Sequence, residues 1–411
     1  MRLITYIVSW GHLWYDRMYE MLIGQARAPG VGTNRRACGY IYLHDSQPLL
    51  ELQCEAANHI SESAHKDTIA FHGMKRLSEQ ALDRVEQIGR HLPGRTGDPT
   101  MNWPKLPAKA AYLALNNPKR RNALSLNVLR DLRDQLHTYN TSPIDGKLRI
   151  LPPFSPNVLQ KLEAAHEGSD PQAAAEYDWL LDGAKWREVR KGLPNVIVLR
   201  SDGPVFSAGH DLSELRQLPH HEVKETFAIC AEVMTLIRRS PAVVVAHIQG
   251  LATAAGCQLA LATDIPIAAA STQFRLPGAS MGLPCTSPST AVSRRVGNAF
   301  TYRMLALAEP VRADQLPGGA VEVVGDTEAL DERVMEVVEK LANDTPAQPG
   351  ALGKWAYWTQ VGFQGESGSG SDGFEDAVAW TGRMMALHAR SEDAREGMQA
   401  FTEKRKPQWK T

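Results

Sequence analysis

Four short segments combine small residues with residue types able to do chemistry: NNPKRRNALS (116–125), GPVFSAGHDL (203–212), QGLATAAGCQLALATD (249–264) and FRLPGASMGLP (274–284). Each lies where a strand-like run gives way to a turn or helix. Gly and Ala at such places let backbone N–H groups come close to a ligand. In AGHD, Ala208 and Gly209 lead the N–H of His210 to a corner of this kind. In TAAGC, the N–H of Ala255, followed by Gly256, falls in the first turn of a helix, where unpaired donors and the helix dipole favour negative charge. Two such donors on one oxygen form an oxyanion hole, each worth roughly 2.7–4 kcal/mol in a transition state. Alone, each segment reads equally well as a tight turn or a close-packed helix. All four in this order are far more specific.

The side chains around these corners carry two readings each. His210 titrates near neutral pH and is either a backbone donor only or an acid–base imidazole. Asp211 reads as the cap of a helix starting at Leu212, and Asp264 as a structural partner. Gln258 can hydrogen-bond a ligand or hold a water. Cys285, Thr286 and Ser287 are expected in a loop after Gly282, lining a pocket. No base stands near Cys285 in the sequence to activate its thiol, and Cys257 reads as a small core residue. Two basic clusters, Lys119–Arg120–Arg121 and Lys404–Arg405–Lys406, suit phosphate contacts or a solvated face equally.

These residues need a scaffold. AAYLAL (110–115), NVIVLRS (195–201) and PAVVVAHIQG (241–250) have the length and apolar content of buried strands, with IPIAAA and TQFRL as shorter ones. LSLNVLRDLRDQLHTY (124–139) places Leu124, Val128, Leu129, Leu132 and Leu136 on one helical face, with Ser125 as N-cap. Helices are also expected over 223–240, 254–264, 299–308, 328–343, 374–388 and 391–405. Strands alternating with helices predict an α/β fold. The Pro-bearing stretch 140–193, with a charged, Ala-rich helical piece at 158–190, reads as an insert, and GFQGESGSGSDG (362–373) as a flexible loop. The expected layout is an N-terminal extension over 1–103, partly disordered, a core over 104–310 and a helical C-terminal region over 311–411.

Composition narrows the function classes. The 411 residues are 43% apolar and 22% charged, the profile of a globular chain. A net charge of -1 gives no electrostatic case for a nucleic-acid or membrane-surface binder. No apolar run approaches the ~18–20 residues a membrane span needs. Five scattered cysteines without a CxxC pair indicate neither a disulfide scaffold nor a zinc site.

The four segments together resemble the crotonase (enoyl-CoA hydratase/isomerase) superfamily over about residues 105–411. FSAGHDL, QGLATAAGCQLALATD and EDAREGMQAFTEKRKPQW are similar to the animal and fungal group of domain-containing 3 hydratases within it. The resemblance implies a spiral of ββα units with a helical C-terminal region. It also implies a homotrimer or hexamer, coenzyme A thioesters as substrate or ligand with no other cofactor, and a place in fatty acid metabolism. The thioester carbonyl would sit between the amides of His210 and Ala255, with Ala208, Gly209, Asp211 and Gly256 around it. Lys119, Arg120, Lys404 and Arg405 would meet the nucleotide phosphates. Family hydratases use two glutamates; the matching positions hold Gln258 and Gly278, and neither ionises as a base. Three readings stay open: an enolate-stabilising enzyme with other chemistry, a non-catalytic thioester binder, and a hydratase or isomerase using other groups. With an intact pocket, glutamates restored at 258 and 278 are expected to raise hydration, and an unchanged rate would mark a diverged pocket. The chain's QWKT ending is not an SKL-type peroxisomal address; with the family's usual compartments, this makes mitochondria the expected location.

Overall fold

The computed structural model describes residues 103–363, 383 and 389–411. The expected extension up to 102, most of the 362–373 loop and nearly all of the 374–388 helix lie outside the described residues. The chain runs β1 (Ala110–Leu115), α1 (Leu126–Asn140), α2 (Val158–Glu167), α3 (Pro171–Leu181), α4 (Gly183–Val189), β2 (Val196–Ser201), α5 (Leu212–Leu215) and α6 (His220–Arg239). It continues with β3 (Val243–Ile248), β4 (Leu251–Thr253), α7 (Ala255–Leu261), β5 (Ile265–Ala269), β6 (Gln273–Arg275), α8 (Thr286–Val296) and α9 (Asn298–Leu307). Then follow β7 (Val311–Arg312), β8 (Glu322–Val324), α10 (Thr327–Asn343), α11 (Ala347–Gln360) and α12 (Glu392–Thr402).

One sheet of five parallel strands has the order β1-β2-β3-β5-β8, and a second has the order β4-β6-β7. Every residue of β2 is buried, the mark of a parallel strand covered on both faces. Period-two alternation divides its side chains. Ile197 and Leu199 join Leu129, Leu132, Leu136, Ile229, Val233 and Ile237 of α1 and α6 on one face. Val196 and Val198 join Val245 and Ile267 against Leu330, Val334 and Val338 of α10 on the other. The Ser125 hydroxyl accepts from the Val128 N–H and starts α1 as its sequence predicts.

The 140–193 stretch builds its own apolar cluster. Leu159, Leu162, Tyr177, Trp179, Leu180 and Trp186 pack with Leu352 and Trp355 of α11. Trp179 and Trp186 stack at 5.7 Å, with Arg149 and Arg190 over their rings at 5.9 and 5.1 Å. Helix α11 also pins the core. Lys354 Nζ lies 2.6 Å from Asp264 Oδ2 and 3.0 Å from the Ser240 carbonyl, while the same carboxylate oxygen accepts from the Val244 N–H at 2.8 Å. Asp264 is thus the structural partner its position suggested. Two helices, α8 and α11, are not among those expected, and Pro288, Pro349 and Gly350 fall inside them. Pro288 and Pro349 sit in first turns, where a missing N–H costs nothing.

On the α10 side, His247 is fully buried, its Nε2 2.7 Å from Asp331 Oδ1. Arg200 Nη1 reaches the same oxygen at 2.7 Å and lies over the Trp103 ring. Burial holds the His247 pKa below the ordinary imidazole value, against the pull of the Asp331 bond. The bond from His247, with Arg200 assisting, holds the Asp331 carboxyl below its ordinary value. Below about pH 6.5 the unfolded chain binds a proton at position 247 that the fold resists, so stability falls with acid. Below about pH 4 Asp331 adds the same sign. The urea midpoint will drop between about pH 7.5 and 5, and His247→Gln will flatten that drop; parallel profiles for the two proteins would remove His247 as the cause. Among the described residues no helix is long and apolar enough to cross a membrane.

Candidate functional site

Ser207 pairs in parallel with Ala252: its N–H donates to the Leu251 carbonyl at 3.1 Å, and its carbonyl accepts from the Thr253 N–H at 3.0 Å. His210 and Ala255 each follow three residues after this bridge. The two segments stay in contact beyond it. A Cβ built on Gly209 would stand 2.7 Å from the Thr253 carbonyl oxygen and 3.1 Å from the Ala255 nitrogen. A Cβ on Gly256 would stand 2.5 Å from the Ser207 carbonyl oxygen. Only glycine permits this approach. Gly256→Ala therefore wedges the segments apart; a loss of about 1–3 kcal/mol in chemical denaturation is expected, and an unchanged midpoint would contradict the contact.

The backbone just ahead of each corner amide is tied down by hydrogen bonds. The Leu124 N–H donates to the Gly209 carbonyl at 2.8 Å, and the Ala254 N–H to the Arg275 carbonyl at 2.9 Å. Among the described residues, the N–H groups of His210 and Ala255 have no acceptor. Ala255 is fully buried and heads α7. Ala254 just before it is held at φ 50°, ψ −121°, a conformation costing a non-glycine residue about 1–3 kcal/mol. The strain sets the entry to α7 and so fixes where the Ala255 N–H lies.

The turn 116–125 closes the site from one side. Arg121 and Asn122 both have positive φ. Buried Asn122 donates to the carbonyls of Asp202 (2.8 Å) and Val205 (2.7 Å), and its own carbonyl accepts from the Ser207 hydroxyl at 2.8 Å. Asn122 thus ties this turn to the 203–207 segment, a role the sequence reading left unassigned; two donors and an acceptor on one short side chain amid turn residues are its signal. A cavity of about 360 Å³ opens here, lined by Pro118, Lys119, Arg121, Asn122, Asp202, Pro204 and Val205. Lys119 therefore stands at a cavity between this turn and the 202–205 segment, whose lining includes neither His210 nor Ala255. Arg120 instead pairs with Asp211 at 2.5 Å, and Asp211 caps α5 by accepting from the N–H groups of Ser213 and Glu214.

His210 is fixed at two points. Its Nδ1 lies 3.3 Å from the Leu124 carbonyl, and its ring meets Phe227 edge-on at 5.0 Å. Burial lowers the imidazole pKa, with the Leu124 carbonyl opposing. Phe227, on α6, was not singled out in the sequence. Gln258 is buried one turn into α7, where its Oε1 accepts from the Ser287 hydroxyl at 3.4 Å. Ser287 and Thr286 are not in a loop: they form the first turn of α8, and Cys285 precedes it, buried, with burial pushing its thiol pKa up. Cys257 is fully buried in the main core.

At Gly278 the pocket has diverged: a restored glutamate finds no room there. A Cβ there would meet the Leu283 carbonyl oxygen at 2.2 Å and the Cys285 nitrogen at 2.6 Å. The backbone of 283–285 folds over this position, and the Leu283 N–H donates to the Gly278 carbonyl. The place is filled by main chain. Lys404 and Arg405 stay with the C-terminal segment: Arg405 contacts Glu396 and Glu403, and Lys406 contacts Asp344.

The profile of the family described as Enoyl-CoA hydratase/isomerase matches residues 190–411. The rat protein named enoyl-CoA hydratase domain-containing protein 3, mitochondrial, is 32% identical over 299 residues, 72% of this chain and 80% of its own. The human protein of the same name is 31% identical over 302 residues, covering 72% of this chain and 79% of its own. Among solved structures, an enoyl-CoA hydratase from Mycobacterium smegmatis superposes with a TM-score of 0.57 at 31% identity, over 76% of this chain and all of that one. The human domain-containing protein 3 superposes with a TM-score of 0.54 at 31% identity, over 74% and 98%.

Proposed function

Because this chain belongs to the enoyl-CoA hydratase/isomerase family, we propose that it binds an acyl-CoA and holds the thioester oxygen on the amides of His210 and Ala255. One observation carries this reading: two acceptor-free N–H groups, each three residues beyond a shared bridge, on segments in van der Waals contact. Donors fixed in place before charge develops stabilise an enolate more than the ketone-like ground state. The role of Gln258 is to hydrogen-bond, since an amide cannot ionise usefully. Lys119, at the cavity beside the 116–125 turn, suits a coenzyme A phosphate. The chemistry that remains is enolate formation, not two-acid hydration, in the service of fatty acid metabolism. The mitochondrial location and trimeric or hexameric assembly follow from the likeness to named relatives and the family.

Titration calorimetry with acetyl-CoA tests the reading directly. Saturable heat that free CoA competes away only in part is the expected result, because the acyl oxygen then contributes. Absence of heat at about millimolar ligand, where binding of even −4 kcal/mol registers, would overturn it.

A further inference from the structure

We infer that the His210 imidazole is the site's single proton carrier, taking and returning a proton at the carbon next to the thioester carbonyl through Nε2. The inference rests on the thioester-binding reading above. Three features of this chain support it. The ring is held at two points, by the Leu124 carbonyl at Nδ1 and by the edge of Phe227. The Nδ1 contact with a carbonyl fixes the tautomer: Nδ1 carries the hydrogen, so Nε2 presents its lone pair. Among the described residues Nε2 has no partner. The side chain grows from the residue whose own N–H is one of the two acceptor-free donors, so base and oxyanion donor are carried by the same residue.

Three carboxylates on the surrounding elements are engaged. Asp211 pairs with Arg120, Glu214 accepts from the Leu126 N–H at 2.9 Å, and Glu225 on α6 pairs with Arg130 at 2.6 Å. Lys224 and the histidines 220 and 221 lie on the same helix as Phe227. With position 258 an amide and position 278 covered by main chain, neither family position offers a carboxylate to compete for the proton. In the forward step the α C–H bond breaks, its proton goes to Nε2, and its electron pair enters the enolate, whose oxygen rests on the amides of 210 and 255. In the reverse step the enolate carbon takes a proton back and neutral imidazole is restored. In deuterated water the returned particle is a deuteron.

The experiment incubates the full chain with butyryl-CoA in deuterated water and follows α-deuteration by mass spectrometry, with calorimetry on the same samples. Wild-type protein is expected to exchange the α-hydrogens well above the protein-free rate. His210→Asn keeps an N–H donor for the Leu124 carbonyl and removes Nε2. It is expected to bind butyryl-CoA and lose about 10²–10⁴-fold of the exchange rate. His210→Ala should regain exchange when free imidazole is added. Exchange undiminished in His210→Asn, or wild-type protein that binds butyryl-CoA without exchange, overturns the inference and leaves the binding reading intact. No restoration by imidazole in a His210→Ala protein that still binds also counts against it. Lack of binding by the wild type would bring down the thioester reading first.

Discussion

Purified protein will hydrate crotonyl-CoA at least about a thousandfold more slowly than a two-glutamate hydratase, and glutamates put back by mutagenesis will not close the gap. Each positioned acid or base contributes typically 10²–10⁴-fold. The amide of Gln258 supplies neither, and Gly278 has no side chain. Gln258→Glu places one carboxylate in a buried position beside the Ser287 hydroxyl. Gly278→Glu cannot supply the second, because its Cβ would stand 2.2 Å from the Leu283 carbonyl oxygen. The loop over 283–285 would have to move, at a cost of about 1–3 kcal/mol or more. The double variant is expected to melt earlier than Gln258→Glu and to hydrate no faster. A steady-state assay with a denaturation curve for each protein decides it; near-normal hydration by the wild type would sink the prediction.

Asp264→Ala will destabilise the fold by about 3–5 kcal/mol, the loss typical when one partner of a buried ion pair is removed. Lys354 Nζ then keeps only the carbonyls of Ser240, Ala242 and Ile237, and the Val244 N–H loses its carboxylate acceptor. Burial already pulls the Lys354 pKa down despite that carboxylate, so the ammonium depends on it. The double variant Asp264→Ala with Lys354→Met is expected to recover part of the loss, because no buried charge is then stranded. Urea denaturation measures both; a loss under about 1 kcal/mol for Asp264→Ala would show that the pair contributes little.

Much of this architecture is readable in the residues. AAYLAL and NVIVLRS become β1 and β2 because continuous apolar runs of that length suit strands covered on both faces. The Leu129–Leu132–Leu136 spacing marks the inward face of α1. Gly209 and Gly256 announce a close backbone approach, and the structure supplies its partners, Thr253 and Ser207. Other features are invisible at that level. The crowding at Gly278 comes from main chain five to seven residues later, and no side-chain type signals it. Helix α11 hides behind Pro349, Gly350 and Gly353, since local propensity is overruled by Trp355 and Leu352 packing on the 140–193 helices. Phe227 gives no sign of touching His210, because the contact depends on where α6 crosses the 208–211 corner.

The shared bridge between Ser207 and Ala252 has a consequence for how such a chain can change over time. The proposed seat for the thioester oxygen is made of main chain and set by strand register, so away from Gly209 and Gly256 a changed side chain leaves it standing. Reactive groups around it can be discarded and new ones recruited while the seat stands. On the proposed reading, a chain that has lost its acids still keeps a cradle for a polarised carbonyl, which a neighbouring ring is free to put to another use.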